Sequence, residues 1–550
     1  MVTVLPPSKS VTTVNSIIPV LTLLTLLFAQ KVWQAREEKK MSNSKPTPYV
    51  FQEGGESIKE ETQADLLIRI GHDYSYLFHD PSNEAYAEVC LDGRTRTMKV
   101  KSKDYSRFLL SHYYKRNGKS PSPDSVNQAQ SQLEAEAIFD GNQHELCLRI
   151  GEHNNNFYYN LNDEKSRVIE ISPGDCKVID APPLFFISKR NMKAQAMPDF
   201  SGDVRRILKH IRLKRNTDKL LYLVYLISCL IPDIPHPVLV FFGEKGAAKS
   251  TSMRMTKEII DPAISNLLSM PRSTSDLALS LHNNYMTSFD NLTSISTEQS
   301  NLLCTAVTGG TITKRKLYSD DEEAILSFKG CVTLNGINVV ATKADLIDRS
   351  IILELDRVDE NERKEERLLW EQFERDKPFI LGGAMKVLSK AIEIYPNVHP
   401  EWLPRMADFT RWGYAITEAM GFKGEYFLKA YKVNQIKANE EAISTSPVAE
   451  AIVALMSRTD LWHGTVTDLL HELEKIAKIE RIDTHSKEWP GAPHSLSRRV
   501  KEIRSNLQEK DIFIDIRHGG KAKMATITRN RETELDADGN SSKESEPSNI

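Results

Sequence analysis

"VLVFFGEKGAAKST", residues 238 to 251, is the stretch whose reading decides the fold. Strand-forming residues run into a loop of small ones that closes on Lys-Ser-Thr, so that Gly243 to Ser250 reads G-x-x-x-x-A-K-S. A phosphate-binding loop carries a second glycine where Ala248 stands. Such a loop needs consecutive backbone N–H groups turned inward, a helix N-terminus behind them, a lysine for the β- and γ-phosphates and a hydroxyl for magnesium. Gly243, Glu244, Lys245, Gly246, Ala247, Ala248, Lys249, Ser250 and Thr251 form the candidate cradle. Within it Gly243 supplies the turn, Gly246 the close approach, Lys249 the charge and Ser250 the metal ligand. Ala248 adds one methyl where the chain enters its helix, and an ordinary α conformation is expected there, which alanine suits. The flanks agree: "HPVLVFF" reads as a buried strand and "KSTSMRMTKEIID" as a helix closed by Asp261-Pro262.

A nucleotide site needs more than a cradle. After the half-apolar run "HNNYMTSF" come Asp290 and Asn291, and an acid at a strand end is where such sites hold magnesium. "FKGCVTLNGIN" offers a further strand, with Asn335 at its polar end placed to bond the attacking water or the γ-phosphate. "DLIDRSIILEL" then puts Arg349 just before another strand. Singly, each has an ordinary reading, because Asp and Asn are turn residues and an arginine is usually a solvated charge. Their order along the chain is what makes the set specific.

Residues 236 to 356 resemble the ATPase core of the AAA+ class, and most closely the superfamily 3 helicases of viruses, phages and plasmids. The resemblance implies ATP and Mg2+ as cofactors, Ser250 and Asp290 at the metal, and Lys249, Asp290, Asn335 and Arg349 as the catalytic set. It implies that "TGGTITKRKLYSDDEEAILSF" is a hairpin whose basic tip, Lys314, Arg315 and Lys316, meets DNA in a central channel. "VVATKADLIDRS" similarly looks like the approach to an arginine finger, Arg349, inserted into a neighbouring subunit's ATP site. The wider layout, with "PRMADFTRWGYAI" in its helical part, also resembles a group of ATP-binding proteins carried by mobile elements and prophages. One position departs from the pattern. The class follows the metal-binding Asp with a Glu that polarises water, and Asn291 cannot take a proton. Either another acid serves, with Glu244 and Glu298 as candidates, or hydrolysis is slow and ATP acts mainly as a switch.

At 550 residues the chain has room for three or four domains, and its net charge of −3 leaves nucleic-acid contact to local basic patches. Cys90, Cys147, Cys176, Cys229, Cys304 and Cys331 are scattered without a C-x-x-C pair, which argues against a disulfide framework or zinc site and for a reducing interior. Residues 10 to 30, "SVTTVNSIIPVLTLLTLLFAQ", carry no charge over about the length of a bilayer crossing. Pro19, Asn15 and the threonines make it a marginal span, and "MSNSKPTPYV" from Met41 is a polar start typical of a cytosolic protein. The preferred reading is an extension outside the folded unit and a cytoplasmic protein, with membrane tethering as the alternative.

The expected organisation is multidomain α/β. It comprises an N-terminal extension (1–45), an α+β accessory domain (46–195), a P-loop AAA+ core of parallel sheet flanked by helices (196–356), a helical lid (357–445), a winged-helix domain (446–530) and a disordered acidic tail (531–550). In the accessory block, short strand-like runs flank one evident helix, "PDSVNQAQSQLEAEAIFD"; His72, Asp73 and His79 mimic metal ligands but read better as a solvated turn. Arg205, Arg206, Lys209, Arg212, Lys214 and Arg215 concentrate charge before the core, as a phosphate track or a solvated face. Arg405 in the lid is weighed as a γ-phosphate contact against a structural ion pair. In the C-terminal block, three amphipathic helices precede two strands about a Gly-Gly turn. The third helix carries Arg498, Arg499, Lys501 and Arg504, and the hairpin tip carries Arg517, His518, Lys521 and Lys523, which suggests duplex DNA with the helix in the major groove. A protein-interaction role is the alternative.

Assembled, these features describe a DNA helicase or translocase of mobile-element or phage replication, working as a homo-oligomeric ring such as a hexamer. Two rivals stay open: an ATP-switched DNA-binding loader or regulator without unwinding, and a membrane-tethered P-loop protein of signalling or defence. A small-molecule kinase fits worst, since it leaves both basic elements unexplained.

Overall fold

The computed structural model describes residues 61–91, 94–315, 323–336, 341, 343–358, 361, 365–486, 488–519 and 522–530. The hydrophobic stretch 10–30, Lys316, Lys521 and the acidic tail lie outside them. Among the described residues no helix is long and apolar enough to cross a membrane. The chain is a multidomain α/β protein whose described residues gather into two compact units.

In the first unit, α1 (Gln63–Tyr74) starts at a capping box in which the Thr62 hydroxyl accepts the Asp65 N–H and the Asp65 carboxylate accepts the Thr62 N–H. β1 (Ser75–His79), β2 (Ala85–Leu91) and β3 (Arg94–Lys99) form an antiparallel meander. α2 (Lys103–Asn117) is capped by Ser102 and stops at Gly118, whose φ of 66° suits a residue without Cβ. α3 (Pro123–Phe139) follows, and β4 (Asn142–Gln143) adds a parallel edge beside β1. Leu67, Ile70, Val89, Leu109 and Leu133 are fully buried between helices and sheet. α1 and α2 join the single helix anticipated here. His72 lies in α1, paired with Glu136 at 2.6 Å, and Asp73 pairs with Arg116 at 3.6 Å, so neither sits in a solvated turn.

The units part differently from the anticipated 46–195 block. After β5 (Leu146–Cys147), the sheet ordered β6-β7-β8-β9, formed by β6 (Ile150–His153), β7 (Asn156–Asn160), β8 (Val168–Ser172) and β9 (Asp175–Ile179) with β6 and β7 antiparallel, belongs almost wholly to the second unit. Phe157, Tyr159, Ile169 and Ile171 lie in that unit's main apolar cluster, and the Tyr159 hydroxyl donates to the Ile260 carbonyl at 2.9 Å. β10 (Phe185–Phe186) returns to the first unit to pair with β5.

The centre of the second unit is a parallel sheet. α4 (Asn216–Ser228) is buried on nearly every side, as its run of Leu, Tyr, Val and Ile requires. β11 (Val238–Phe242) leads into α5 (Lys249–Ile260), α6 (Thr274–Asn283), β12 (Met286–Leu292) and α7 (Thr297–Thr308). The hairpin of β13 (Gly310–Arg315) and β14 (Glu323–Phe328), then β15 (Cys331–Gly336), α8 (Ala344–Ile347) and β16 (Ser350–Glu354) complete it. The order is β12-β15-β11-β16, all parallel, with apolar strands buried as such a sheet demands.

α9 (Glu366–Ile394), α10 (Ala407–Ala419) and α11 (Gly424–Ser444) share the sheet's apolar cluster. Gly382 and Gly383 on α9 are obligatory, because a Cβ there would meet the Asp199 carbonyl at 2.0 Å and the Val204 amide at 2.4 Å. From α11 the Asn434 amide accepts the Ile352 N–H at 3.0 Å and donates to the Ile352 carbonyl at 2.7 Å, standing in for a strand beside β16. In the basic run at 205–215, Lys209, Arg212 and Lys214 are exposed, and several members have protein partners. Arg206 lies over Phe379 at 4.3 Å and pairs with Asp376 at 3.3 Å, Arg205 donates to the Met420 carbonyl, Lys214 pairs with Glu354 at 2.7 Å and Arg215 with Asp218 at 2.9 Å.

A buried charge cluster closes the far end of α5. Arg149 pairs with Asp261 at 3.1 Å, Lys257 pairs with Asp261 at 3.1 Å, and Lys377 of α9 pairs with Glu258 at 2.7 Å. Burial pushes the Asp261 and Glu258 carboxyls up, but these cations outweigh it and hold both below their ordinary values.

The C-terminal part has its own core. α12 (Pro447–Arg458), α13 (Val466–Glu480) and α14 (Pro493–Gln508) pack with a sheet ordered β17-β19-β18, formed by β17 (Leu461–Thr465), β18 (Ile512–Gly519) and β19 (Ala522–Arg529). β17 is an addition to the three helices and two strands anticipated. Asn506 of α14 bonds to Asn439 of α11 at 2.9 Å, fixing this part to the rest of the unit.

Candidate functional site

The loop from Gly243 to Ala248 leaves the carboxyl end of β11, where ligands of open parallel sheets bind. Gly243 and Gly246 have φ of 142° and 87°, conformations that favour glycine. Ala248 corrects the expectation of an ordinary α conformation: it is left-handed, with φ 53° and ψ 30°, which costs a residue bearing Cβ about 1 kcal/mol. It is nonetheless the N-cap of α5, its carbonyl accepting the Ser252 N–H at 2.9 Å. Ala247 is buried, Glu244 and Lys245 are exposed, and Thr251 is half-buried in the first turn of α5. From the other side, Val358 donates its N–H to the Gly246 carbonyl at 3.3 Å, strapping the loop.

Three predicted residues from three elements meet beside this loop. The Ser250 hydroxyl donates to Asp290 Oδ1 at 2.8 Å, and the Asn335 amide donates to the same oxygen at 2.5 Å. Asn335 Oδ1 also accepts the Asn291 N–H at 2.6 Å. Asn291 has φ 58° at an irregularity in β12, a conformation asparagine tolerates better than most residues. Lys249 Nζ donates to the Gly243 and Glu244 carbonyls at 2.6 and 2.8 Å. Burial pushes the Lys249 ammonium down, with the Asp290 carboxylate opposing. An ammonium, a hydroxyl and a carboxylate thus converge beside a glycine-bearing loop, a set that fits a nucleotide phosphate and a hard divalent cation. Of the alternative acids, Glu244 sits in the loop itself with its side chain 78% exposed and Arg357 at 4.0 Å, and Glu298 occupies the first turn of α7.

Arg349 is not part of this group. Its carbonyl accepts the Val238 N–H at 2.8 Å, at the amino end of β11, so the length of a strand, about 13 Å, separates it from the loop. There the Arg349 guanidinium binds Asp345 at 2.6 Å, and Arg405 binds the same carboxylate oxygen at 2.6 Å and Asp348 at 3.4 Å. Arg405 is thus placed in the ion-pair group at the amino end of the sheet, away from the loop.

The basic elements divide as well. Lys314 and Arg315 fall in β13, opposite Ala324 and Glu323; their side chains and Lys316 lie outside the described residues. On α14, Arg498, Lys501 and Arg504 are exposed, whereas Arg499 is half-buried and paired with Glu502 at 3.2 Å. Glu502 also binds Lys343 at 3.0 Å, a link from α14 to the start of α8 that the sequence did not suggest. Lys523 is exposed opposite His518, and Arg517 pairs with Asp515 at 2.6 Å. Arg504, Arg517, Phe513 and His463 border a cleft of about 520 Å³ between α14 and the outer face of the sheet.

Two family models match the chain. The one described as actinomycete integrative conjugative element replication protein matches residues 204–439, and the AICE RepA C-terminal domain matches residues 448–543. Together they span more than half of the 550 residues. The protein is of the class that replicates mobile elements. It belongs to the RepA family of actinomycete integrative conjugative elements. Solved structures similar to it include the A form apo structure of the NrS-1 C terminal region, 12% identical, covering 86% of this chain and 100% of that one at a TM-score of 0.37. The apo structure of NrS-1 C terminal region (305–718) is 12% identical, with the same coverage and a TM-score of 0.36. Likeness of this size carries no argument about activity. No curated protein matches the chain.

Proposed function

We propose that this chain is an ATP-binding and ATP-hydrolysing DNA helicase or translocase of mobile-element replication, built on a P-loop AAA+ core with a C-terminal winged helix. The observation that carries the reading is the convergence of Ser250 and Asn335 on one oxygen of Asp290, beside the Lys249 loop. In this reading the backbone of Gly243 to Thr251 and the Lys249 ammonium hold the triphosphate of ATP, and Ser250 and Asp290 hold Mg2+. The bound metal supplies charge neutralisation at the phosphates. Asn335 fixes the Asp290 carboxylate and the turn at Asn291, so that the strand end keeps its shape. Arg349 and Arg405, at the opposite end of the sheet, face a second copy of the chain in a ring. Lys314, Arg315 and Lys316 track single-stranded DNA, and Arg498, Lys501, Arg504 and Lys523 dock duplex.

Lys249→Ala tests the reading. ATP turnover should fall by at least about 10²-fold, as expected when a group that stabilises developing charge is removed. Turnover equal to wild type in the folded variant overturns it.

A second reading, an ATP-switched loader that does not unwind DNA, is favoured by Asn291. It stands next to the metal-binding Asp, cannot take a proton as a general base, and is pinned through its backbone by Asn335. Slow turnover without strand displacement on forked DNA decides for this reading.

A further inference from the structure

The outer face of the C-terminal sheet is built unlike an ordinary solvated surface. In β18, Ile512, Ile514 and Ile516 belong to the core, so strand alternation puts Phe513, Asp515 and Arg517 on the other face. An outward position on such a strand usually carries a polar residue, yet Phe513 is 41% exposed there. Register places Thr528 opposite Phe513, and Thr526 opposite both Asp515 and, from β17, His463. The Thr526 hydroxyl lies 2.9 Å from His463 Nδ1, and Arg517 pairs with Asp515 at 2.6 Å. With Arg504 of α14, these side chains border the cleft of about 520 Å³.

An aromatic ring open to solvent, guanidiniums from a helix and a strand, and hydroxyls between them form a set that receives an unpaired nucleotide. The base stacks on the ring, and the phosphates meet the guanidiniums. A base within a duplex has both faces covered by its neighbours, so a stacking ring selects single strand. Charge agrees with this ligand. Asp515 is already engaged by Arg517, whereas Arg504 has no carboxylate partner among the described residues. Arg498 and Lys501 are further exposed cations on the same helix.

We infer that the outer face of β17, β18 and β19 binds single-stranded DNA, with one base stacked on Phe513 and the backbone against Arg504 and Arg517. The inference rests on the DNA-binding reading of the C-terminal part given above and deepens it. Arg504 belongs both to the helix assigned to duplex and to the cleft, so the preferred ligand is a junction of duplex and single strand.

The test uses the full chain without nucleotide and follows labelled DNA by fluorescence anisotropy. The probes are an oligodeoxycytidylate of about 10 nucleotides, a blunt duplex, and a duplex with a single-stranded tail. Lys314, Arg315 and Lys316 are replaced by alanine together, so that single strand held elsewhere does not mask the cleft. In that background Phe513→Ala should weaken oligodeoxycytidylate binding by at least about fivefold, the lower end for one base–aromatic stack, and leave the blunt duplex within about twofold. Phe513→Trp should keep the binding, and its added emission should be quenched as a base stacks on it. The tailed duplex should bind more tightly than the blunt one, and Phe513→Ala should remove that advantage. Unchanged oligonucleotide binding by Phe513→Ala, equal losses on single strand and duplex, or no single-strand binding once the three hairpin cations are gone overturns the inference. A chain that binds oligodeoxycytidylate through Phe513 but does not bind duplex overturns the duplex-docking reading instead.

Discussion

Asn335 and Asp290, 45 residues apart in the chain, are joined by an amide-to-carboxylate hydrogen bond of 2.5 Å at the adjoining ends of β15 and β12. The bond fixes one Asp290 oxygen while Ser250 approaches the same atom from α5. Asn335→Asp should be worse than Asn335→Ala, because it keeps an acceptor for the Asn291 N–H but replaces the amide donor at Asp290 with a second carboxylate set against the first. Hydrogen bonds to charged groups contribute about 1.5–3 kcal/mol. A loss of that order in the denaturation midpoint, with a fall in metal-dependent nucleotide affinity for Asn335→Asp, is the expected outcome.

Ala248 holds a left-handed conformation that glycine adopts freely. Ala248→Gly removes about 1–2 kcal/mol of backbone penalty and returns about 0.5–1 kcal/mol through the greater freedom of the unfolded chain. The variant should therefore be no less stable, and by up to about 1.5 kcal/mol more so in denaturant titration. Ala248→Val should be markedly less stable, since a β-branched side chain suits that region least.

The Arg149, Asp261, Lys257, Glu258 and Lys377 cluster sets an acid limit. Asp261 and Glu258 have folded-state values below 3.8 and 4.5 respectively, so the stability they contribute is complete above those values. It is lost as pH falls through about 4 and toward the lower folded-state values. Thermal midpoints should fall between pH 5 and pH 3, and Asp261→Asn should flatten that dependence. At neutral pH the same substitution should cost about 3–5 kcal/mol by leaving Arg149 and Lys257 without their shared carboxylate.

On α14 the exposed cations should behave unlike the paired one. Arg498→Ala, Lys501→Ala and Arg504→Ala should each lower the slope of log affinity for duplex DNA against log salt by about 1. Arg499→Ala should change the slope less, because Glu502 already engages that guanidinium. Fluorescence anisotropy across a salt series measures both.

Much of the fold was legible in the sequence where local pattern and tertiary demand agree. The β11 run and α5 declare themselves by apolar content and by Asp261-Pro262, and α12, α13 and α14 by their periodicity. β17 did not, because none of its five residues is buried and Gly464 and His463 interrupt any strand-forming run. α1 was missed although Thr62 and Asp65 have capping-box spacing. Within the site, Ser250 and Asp290 were read together from their places at a helix start and a strand end, whereas Asn335 was read as a contact to water or the γ-phosphate and not to Asp290, to which its amide donates. The left-handed turn at Ala248 was hidden because alanine argues against it. The partners of Arg205 and Arg206 were hidden because Asp376, Phe379 and Met420 lie far along the chain, and residue type alone does not distinguish a solvated cation from a packed one.

The Asn434 amide has a consequence for how copies of the chain can associate. By occupying the Ile352 N–H and carbonyl, it denies β16 to any foreign strand, much as a plug closes a socket. Growth of this sheet from one molecule into the next is blocked along that border. Along that border any contact with another chain is left to side-chain surfaces, which can separate and rejoin without unzipping a backbone ladder.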